Sequence, residues 1–362
     1  MTRSVGWALV SRRTWSLLVS VALVGVFAAF GGFVTVPYVA LGPGHTYDTL
    51  GLVATSGEVA PPPLLEEGDA LPGETGAEPD PGELRLTTVQ LTTDVTLFGA
   101  LGLWASGNYA LAPREEYYPP DRTREEIEQE NRQSFTASQS SAETAALLYL
   151  GYPRKVLVGE VFGDGPSDGV LEPGDELVTV NGVDADSAEA VVESLADTAP
   201  GDRVDIVISR DGVERDLTVE LGARDDRESG YLGVAPLDQP DVDFDVDIEL
   251  DEVGGPSAGL MFALAIIDTL SPGEITGGTH VAGTGEITTQ GAVRPIGGIS
   301  FKMRAAKDIG STVFLVPTGN CAEAVANAPD GLQLVEVETL EGAVDALRQV
   351  RAGEQPPDCS PN

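Results

Sequence analysis

One serine stands in a sequence context that suits nucleophilic catalysis. Ser257 lies within Gly-Gly-Pro-Ser-Ala-Gly, residues 254–259, directly before an apolar run that predicts a buried helix. Glycine and proline favour a sharp turn that another chain can approach closely. Backbone N–H groups at the start of the helix have no partner within it, so they either cap the helix on the serine oxygen or bind an oxyanion on a substrate. A serine nucleophile also needs a base that takes its proton.

Lys302 is the residue that best fits the role of this base. Only three of the 21 lysine and arginine residues are lysines, so a lysine is a rare choice in this chain. Lys302 follows Gly297-Gly298, where we expect a helix to begin near Phe301 with Ser300 as its cap. The positive end of the helix and partial burial both lower the pKa of a lysine, as a general base near neutral pH requires. The alternative is an exposed lysine whose stem lies along the helix.

The two histidines do not offer a better base. His45 lies just beyond the apolar N-terminal segment, and His280 lies on a predicted strand. Neither stands in a pattern typical of a Ser-His-Asp triad. We therefore predict a pair of serine and lysine.

An uncharged segment near the N-terminus has the length of a membrane span. Residues 15–36 carry no charge and follow three arginines. About 20 apolar residues cross a bilayer, and a positive flank predicts a cytoplasmic N-terminus. We expect a cytoplasmic tail over residues 1–14, a single-pass anchor in the cell membrane over residues 15–37 and the bulk of the chain outside. A cleaved signal peptide is the alternative.

The next region and the overall charge exclude some partners. The net charge of −37 argues against nucleic acid and anionic membrane surfaces, because like charges repel. We expect an extracytoplasmic region over residues 38–150, in which residues 57–83 form a disordered acidic loop rich in proline, glycine and glutamate. Residues 123–151 predict a helix pair or one broken helix.

Residues 151–223 predict a small β-rich module. Ser187 is a good cap for a short helix, and Asp211-Gly212 predicts a tight hairpin between two strands. The stretch GVLEPGDELVTVNGVDADS resembles PDZ domains of the bacterial protease-associated kind. Such domains bind extended peptides by adding a strand to a sheet edge. A packing module without a peptide ligand is the alternative.

Three ordered motifs in the last third of the chain resemble the Lon-type protease domain. They are GGPSAGLMFALAIID, GTGEITTQGAVRPIGGISFK and STVFLVPTGN. The resemblance implies a serine–lysine peptidase with Ser257 as nucleophile, Lys302 as base and Thr284 in support of the lysine. It implies an α/β protease domain over residues 228–352, followed by a tail over residues 353–362. The backbone N–H groups of Ser257 and Ala258 are candidates for the oxyanion hole.

The chain departs from ATP-dependent Lon enzymes in two respects. Gly254 stands where many of them carry an acidic residue, and the sequence has no P-loop motif GxxxxGK[ST]. We therefore expect neither ATP nor any other cofactor. No CxxC motif or Cys/His cluster predicts a metal site. Cys321 and Cys359 form a disulfide if the chain is exported, and two unpaired thiols are the alternative.

Together these patterns predict a multidomain α/β protein with an N-terminal transmembrane helix, a PDZ-like β-rich module and a Lon-type proteolytic domain. Its order of domains resembles that of the membrane-anchored, PDZ-containing Lon-like proteases of Gram-positive bacteria. The resemblance implies an ATP-independent endopeptidase that cleaves flexible or unfolded proteins outside the membrane, and a homo-oligomer. The alternative function is a non-catalytic, membrane-anchored scaffold that binds peptides.

Overall fold

The computed structural model describes residues 12–63, 82–224, 227–250 and 253–360. Its helices are α1 (Arg12–Phe33), α2 (Leu97–Ala105), α3 (Arg114–Tyr117), α4 (Arg124–Tyr149), α5 (Ala188–Glu193), α6 (Gly259–Leu270), α7 (Ile299–Asp308), α8 (Cys321–Ala326) and α9 (Leu340–Ala352). Its first nine strands are β1 (Tyr38–Asp48), β2 (Val53–Ser56), β3 (Glu83–Thr92), β4 (Ala110–Pro113), β5 (Arg154–Val161), β6 (Glu176–Val180), β7 (Val183–Asp184), β8 (Arg203–Arg210) and β9 (Val213–Glu220). The other nine are β10 (Gly222–Arg224), β11 (Arg227–Tyr231), β12 (Val234–Pro240), β13 (Asp245–Ile248), β14 (His280–Gly283), β15 (Glu286–Ile287), β16 (Val293–Arg294), β17 (Val313–Pro317) and β18 (Gln333–Val337). This mixture confirms the predicted α/β class.

The first of two six-stranded sheets, which we call the first sheet, is covered by helices on both faces. Its strand order is β18-β17-β14-β3-β1-β4, and the four strands from β18 to β3 run parallel. Val313 and Leu315 lie in the core that contains α4, α6 and α9, whereas Phe314 and Val316 lie in the core that contains α7 and α8. A parallel strand with both faces buried is apolar at successive residues. This explains the continuous run Val-Phe-Leu-Val in β17.

Strands from the N-terminal region complete this sheet. The predicted strand at Leu-Arg-Leu-Thr-Thr-Val-Gln-Leu is β3, which pairs in parallel with β14 and antiparallel with β1. Leu84 and Leu86 of β3 are buried in the same core as α6. The residues between the apolar helix α1 and the PDZ-like unit are therefore part of the unit that contains Ser257. The predicted boundary of the protease domain at residue 228 stays a prediction.

A second sheet forms the β-rich unit. Its order is β12-β5-β6-β8-β9, with β7 beside β6. Asp211 and Gly212, at the turn between β8 and β9, both have positive φ, +56° and +73°, as a two-residue hairpin requires. The Ser187 hydroxyl accepts a hydrogen bond of 3.0 Å from the N–H of Ala190, so the predicted cap of α5 is present. The unit also takes strand β12 from beyond residue 223.

Helix α4 differs from the expected helix pair. It is one helix of 26 residues with a capping box formed by Thr123 and Glu126. The segment contains no glycine or proline that would interrupt it. From Phe135 onward the helix packs on α6, and the rings of Phe135 and Phe262 meet edge to face at 5.7 Å.

The N-terminal segment forms one apolar helix whose side chains are almost all exposed. Residues Arg13–Phe33 contain an 18-residue window with a mean hydropathy of 2.2 and are long enough to cross a membrane, a property that signal sequences share. Most of the predicted acidic loop, at residues 64–81, lies outside the described residues, and so do residues 1–11 of the predicted cytoplasmic tail.

A disulfide holds the C-terminal segment on the first sheet. Cys321 at the start of α8 is bonded to Cys359. The N–H of Glu336 in β18 donates a hydrogen bond of 2.9 Å to the carbonyl oxygen of Pro357. The tail therefore covers the outer edge of β18, which removes an exposed strand edge.

We predict that Cys359→Ser lowers the free energy of unfolding by about 3–4 kcal/mol, because the bond closes a loop with a sequence separation of 38. Urea unfolding of the detergent-solubilised chain, with and without a reductant, measures this. The reductant should destabilise the parent and leave Cys359→Ser unchanged. An unchanged midpoint in the reduced parent, together with no linked Cys321–Cys359 peptide in non-reducing mass analysis, would contradict the prediction.

Candidate active site

A tight turn before α6 presents Ser257. Gly255 has a φ of +88°, which favours glycine, and Ala258 is the N-cap of the helix that begins at Gly259. From Gly259 to Ile267 every residue of α6 is buried, as the apolar run predicted. The helix is thus fixed in the core, and Ser257 stands half-buried at its mouth.

Helix α4 holds this turn from the side. The Ser138 hydroxyl donates a hydrogen bond of 2.9 Å to the carbonyl oxygen of Pro256. The N–H of Gly255 donates one of 3.0 Å to the carbonyl oxygen of Asn131. A Cβ on Gly259 would lie 2.8 Å from Ser138 Oγ and from Ile287 Cγ2, so only glycine permits this close packing. The sequence predicts only a helix pair or one broken helix here and indicates no contact with the Ser257 turn.

Lys302 lies in the first turn of α7. The helix begins at Ile299, with Gly298 as N-cap at a φ of +71°, and not near Phe301 with Ser300 as cap. A Cβ on Gly298 would lie 2.8 Å from Val89, so glycine lets the helix start close to β3. Ile299 and Met303 are buried against the sheet, and Lys302 is only 2% exposed. The lysine does not lie along the surface, as the alternative interpretation required.

The structure brings Ser257, Lys302 and Thr284 into direct contact. Lys302 Nζ lies 2.7 Å from Ser257 Oγ and 2.9 Å from Thr284 Oγ1. The Thr284 hydroxyl donates a hydrogen bond of 2.9 Å to the carbonyl oxygen of Ser257. Thr284 follows β14 and is fully buried. The amine of Lys302 is therefore the point where three elements meet: the Ser257 turn, the end of β14 and the start of α7.

Burial controls the charge of this amine. Desolvation lowers the pKa of Lys302 to about 7, because a charged amine is costly away from water. Near pH 7 a large fraction of the lysine is then neutral. A neutral amine 2.7 Å from a hydroxyl has the lone pair and the distance that a general base needs.

A cleft of about 370 Å³ opens over this contact. Its walls are the Ser257 turn, Gly297, and parts of β1 and β3 that include His45 and Gln90. Strand β1 bulges between Pro43 and Thr46. A Cβ on Gly44 would lie 2.3 Å from Thr88 Oγ1, so the bulge needs glycine at this position. The N-terminal strands thus form a wall of the site, which the sequence did not indicate.

The Ser257 turn also contains the backbone N–H groups of Ser257 and Ala258. Among the described residues, no acceptor takes the N–H of Ser257 or of Ala258. They stand at the positive end of α6, where an anion is stabilised. Their position is compatible with the predicted oxyanion hole.

The histidines occupy different places. His45 is exposed and lines the cleft. His280 lies on β14 with its Nδ1 3.1 Å from Glu83 Oε2, and it does not belong to the cleft lining. Neither is a hydrogen-bond partner of Ser257 among the described residues.

Asn320 supports the segment before Lys302, and sequence reasoning gave it no role. Its Oδ1 accepts a hydrogen bond of 2.9 Å from the N–H of Ile296, and its Nδ2 donates one of 2.9 Å to the carbonyl oxygen of the same residue. The side chain is 6% exposed. The one feature of the sequence that could have indicated this role is the position of Asn320 at the end of the motif STVFLVPTGN.

Comparisons with known proteins identify two domains. The profile of the Lon protease (S16) C-terminal proteolytic domain matches residues 246–349, and that of the PDZ domain matches residues 127–221. Lon protease 2 of Bacillus subtilis is 33% identical over 118 residues, which are 32% of this chain and 21% of that protein. The Lon protease of Heliobacterium modesticaldum is 35% identical over 134 residues, 34% of this chain and 16% of that protein.

Among solved structures, the PDZ domain of the SdrC-like protein Lmo2051 from Listeria monocytogenes is similar to this chain. The match covers 23% of this chain and 86% of the Listeria chain. The sequence identity is 23% and the TM-score is 0.22. The chain spans about a fifth or less of the length of the two Lon proteases. The family profiles thus confirm both domain types that the motifs suggested: this chain carries a Lon-type (S16) C-terminal proteolytic domain and a PDZ domain.

Proposed function

We propose that this protein is an ATP-independent serine endopeptidase that uses Ser257 as nucleophile and Lys302 as base. The observation that carries the proposal is the distance of 2.7 Å between Lys302 Nζ and Ser257 Oγ beneath an open cleft. The low pKa of the buried lysine supports it, since a charged ammonium has no lone pair for the serine proton.

The reaction follows from this contact. Neutral Lys302 takes the proton of Ser257 as Oγ attacks the carbonyl carbon of the scissile peptide. The N–H groups of Ser257 and Ala258 bind the oxyanion of the tetrahedral intermediate. The Lys302 ammonium then protonates the leaving amine, and the acyl group remains on Ser257. Water, deprotonated by Lys302, attacks the ester and releases the second product.

Thr284 orients the amine in this scheme. Its hydroxyl hydrogen is directed to the carbonyl oxygen of Ser257, so its oxygen is available to accept a hydrogen bond from Nζ. A neutral amine that donates to Thr284 keeps its lone pair available for Ser257. We therefore assign Thr284 a supporting role.

The setting proposed for the reaction is the outer side of the cytoplasmic membrane. Helix α1 is the anchor, its N-terminus is cytoplasmic, and only four residues separate the end of the helix from the start of β1. A disulfide is stable in an oxidising compartment, which supports export. The sequence has no P-loop to couple ATP hydrolysis to unfolding, so the substrates are flexible or unfolded proteins. The resemblance to Lon enzymes also motivates a homo-oligomer.

The PDZ domain is proposed to bind an extended segment of the substrate. A groove of about 330 Å³ lies against α5 and strands β11 and β12. Val192 and Leu195 line it from the helical side, and Leu232 and Val234 line it from the strand side. An apolar groove beside a strand suits a peptide that adds a strand to the sheet.

The first test uses casein as an unfolded substrate, without ATP. The full chain in detergent should cleave casein, while Ser257→Ala and Lys302→Arg should lose at least about 100-fold in rate, because one lacks the nucleophile and the other cannot lose its proton. Equal thermal unfolding of the variants controls for folding. Full activity of either variant would exclude the pair, and an inert parent that also resists a serine-reactive probe would favour the peptide-binding scaffold.

The burial of Lys302 should also make the free energy of unfolding depend on pH. The pKa of Lys302 is about 7 when folded and 10.5 when unfolded, so the folded state binds fewer protons between these values and its stability rises with pH. Lys302→Met removes the free energy needed to keep the lysine neutral in the folded state. It should therefore be more stable than the parent by about 2–4 kcal/mol at pH 7. At pH 9.5 this difference in the free energy of unfolding should be about 3 kcal/mol smaller. Urea unfolding at both pH values measures it.

Lys307→Met, near the end of the same helix, is the matched control and should change stability by less than about 1 kcal/mol. A destabilised Lys302→Met at pH 7, or a difference that does not shrink as the pH rises, would show that Lys302 is not held neutral by burial.

A charge placed in the groove of the PDZ domain should weaken the binding of long substrates and leave the cleavage of short ones unchanged. Val192 is 53% exposed and lines the groove, whereas Val213 is 57% exposed and lies at the β8–β9 hairpin. We predict that Val192→Glu raises KM for casein about tenfold or more and leaves the cleavage of a short fluorogenic peptide unchanged. Val213→Glu should leave both unchanged. Equal effects of the two variants on casein would mean that the groove does not bind substrate.

A further inference from the structure

Helix α2 is apolar on two faces, although it lies at the surface. Ala100 and Leu103 face the small core that contains Val36 and Tyr109. The exposed face, which we call the outer face of α2, consists of Phe98, Leu101 and Trp104, which are 40%, 49% and 64% exposed. Residues 97–112 contain no charged side chain. A helix that is apolar all round needs a second apolar neighbour, in protein or in lipid.

The start of α2 is attached to the end of α1. The N–H of Leu97 donates a hydrogen bond of 3.3 Å to the carbonyl oxygen of Val34, and the N–H of Val36 donates one of 2.9 Å to that of Val95. The ring of Phe98 meets the ring of Phe27 edge to face at 5.6 Å. The two helices are therefore in direct contact.

This contact sets the depth of α2. Phe27 lies six residues before the end of α1, about 9 Å along the helix axis at 1.5 Å per residue. A Cβ on Gly31, one turn later, would lie 2.5 Å from the Phe98 ring, so Gly31 leaves the space that the ring fills. A bilayer that surrounds α1 to its end must also surround Phe98.

The two ends of the uncharged segment fit a membrane interface. Trp104 lies near the C-terminal end of α2 and is 64% exposed, and tryptophan is enriched where a membrane meets water. The first charged residues on either side are Asp94 and Arg114, whose side chains form an ion pair of 3.3 Å. The charges thus lie outside the apolar helix at both of its ends.

We propose that α2 is a second membrane-contacting element, whose outer face inserts into the lipid beside the end of the anchor. The proposal rests on the anchoring role of α1 in the proposed function. The direct contact with α1 favours lipid over a second copy of the chain as the neighbour of this face. The strongly acidic charge of the rest of the protein is no obstacle in a zwitterionic lipid, because the segment itself is uncharged.

Such insertion fixes the active site relative to the membrane. Arg304 of α7 donates hydrogen bonds to the carbonyl oxygen of Gly107 and to Asn108 Oδ1, so the loop after α2 touches the helix that carries Lys302. Strand β1 leads from Tyr38 near the anchor to His45 in the cleft, seven residues and about 23 Å in extended chain. The cleft is held within reach of segments that emerge from the same membrane.

Tryptophan quenching by brominated lipid tests the proposal. The chain has three tryptophans, Trp7, Trp15 and Trp104. Two variants retain either Trp104 or Trp15 alone, with phenylalanine at the other two positions. A third is tryptophan-free except for Phe162→Trp on the PDZ unit. Each full-length variant is reconstituted in phosphatidylcholine vesicles brominated at carbons 6 and 7 of the acyl chain, and its circular dichroism and thermal unfolding are matched to the parent.

Trp104 and Trp15 should both be quenched at least twofold relative to unbrominated vesicles, while the tryptophan at position 162 should be unaffected. If Trp15 is quenched and Trp104 is not, the anchor stands and the insertion of α2 is overturned. A blue-shifted but unquenched Trp104 would mean that protein, such as a second copy, covers the face, which also overturns it. If neither Trp15 nor Trp104 is quenched, the proposal that α1 anchors the chain in the membrane is contradicted. Quenching at position 162 equal to that of Trp104 would show that the quenching is not specific to α2, which also overturns the proposal.

Discussion

The burial of one amine is the constraint on which this active site depends. Lys302 is enclosed by the first sheet and by α7, and it forms hydrogen bonds with only two side chains, those of Ser257 and Thr284, among the described residues. Water would stabilise the charged form, so removing water makes the lysine a base, at a cost to the stability of the fold. The surrounding elements bear that cost because α6 and the parallel strands bury large apolar surfaces on both sides of the sheet.

Glycines allow the elements around the amine to approach one another. Gly255 provides the turn before Ser257, Gly259 lets α6 meet α4, and Gly298 starts α7 close to Val89. The N-terminal strands then close the site, since β3 pairs with β14 and the bulge of β1 forms a wall of the cleft. The same strands lead back to α1 and α2, so the proposed membrane contact and the proposed chemistry share one rigid sheet.

Local patterns predicted much of this molecule. The apolar run of α6, the Ser187 cap and the Asp211-Gly212 hairpin each depend on neighbouring residues alone, and each is present. The contacts of Ser138 with Pro256, of Asn320 with Ile296 and of Gly44 with Thr88 join residues that are 118, 24 and 44 positions apart. No short-range pattern encodes such pairs, because they depend on how the sheet is assembled. The start of α7 differs from the prediction for a related reason: the sequence predicts that Gly297-Gly298 ends the preceding segment, whereas the left-handed backbone of Gly298 caps the helix.

The most direct test of the account is the pH dependence of the phosphonylation of Ser257 by a serine-reactive probe. The second-order rate constant for labelling by a fluorophosphonate is measured from pH 5.5 to 10 on the detergent-solubilised full chain, with Lys302→Met as the reference. The account predicts a single rise with a midpoint near pH 7, set by the pKa of Lys302, and a plateau above it, with slow labelling of Lys302→Met throughout. A midpoint near 10, or equal labelling of the parent and Lys302→Met, would contradict the claim that a buried neutral lysine activates the serine.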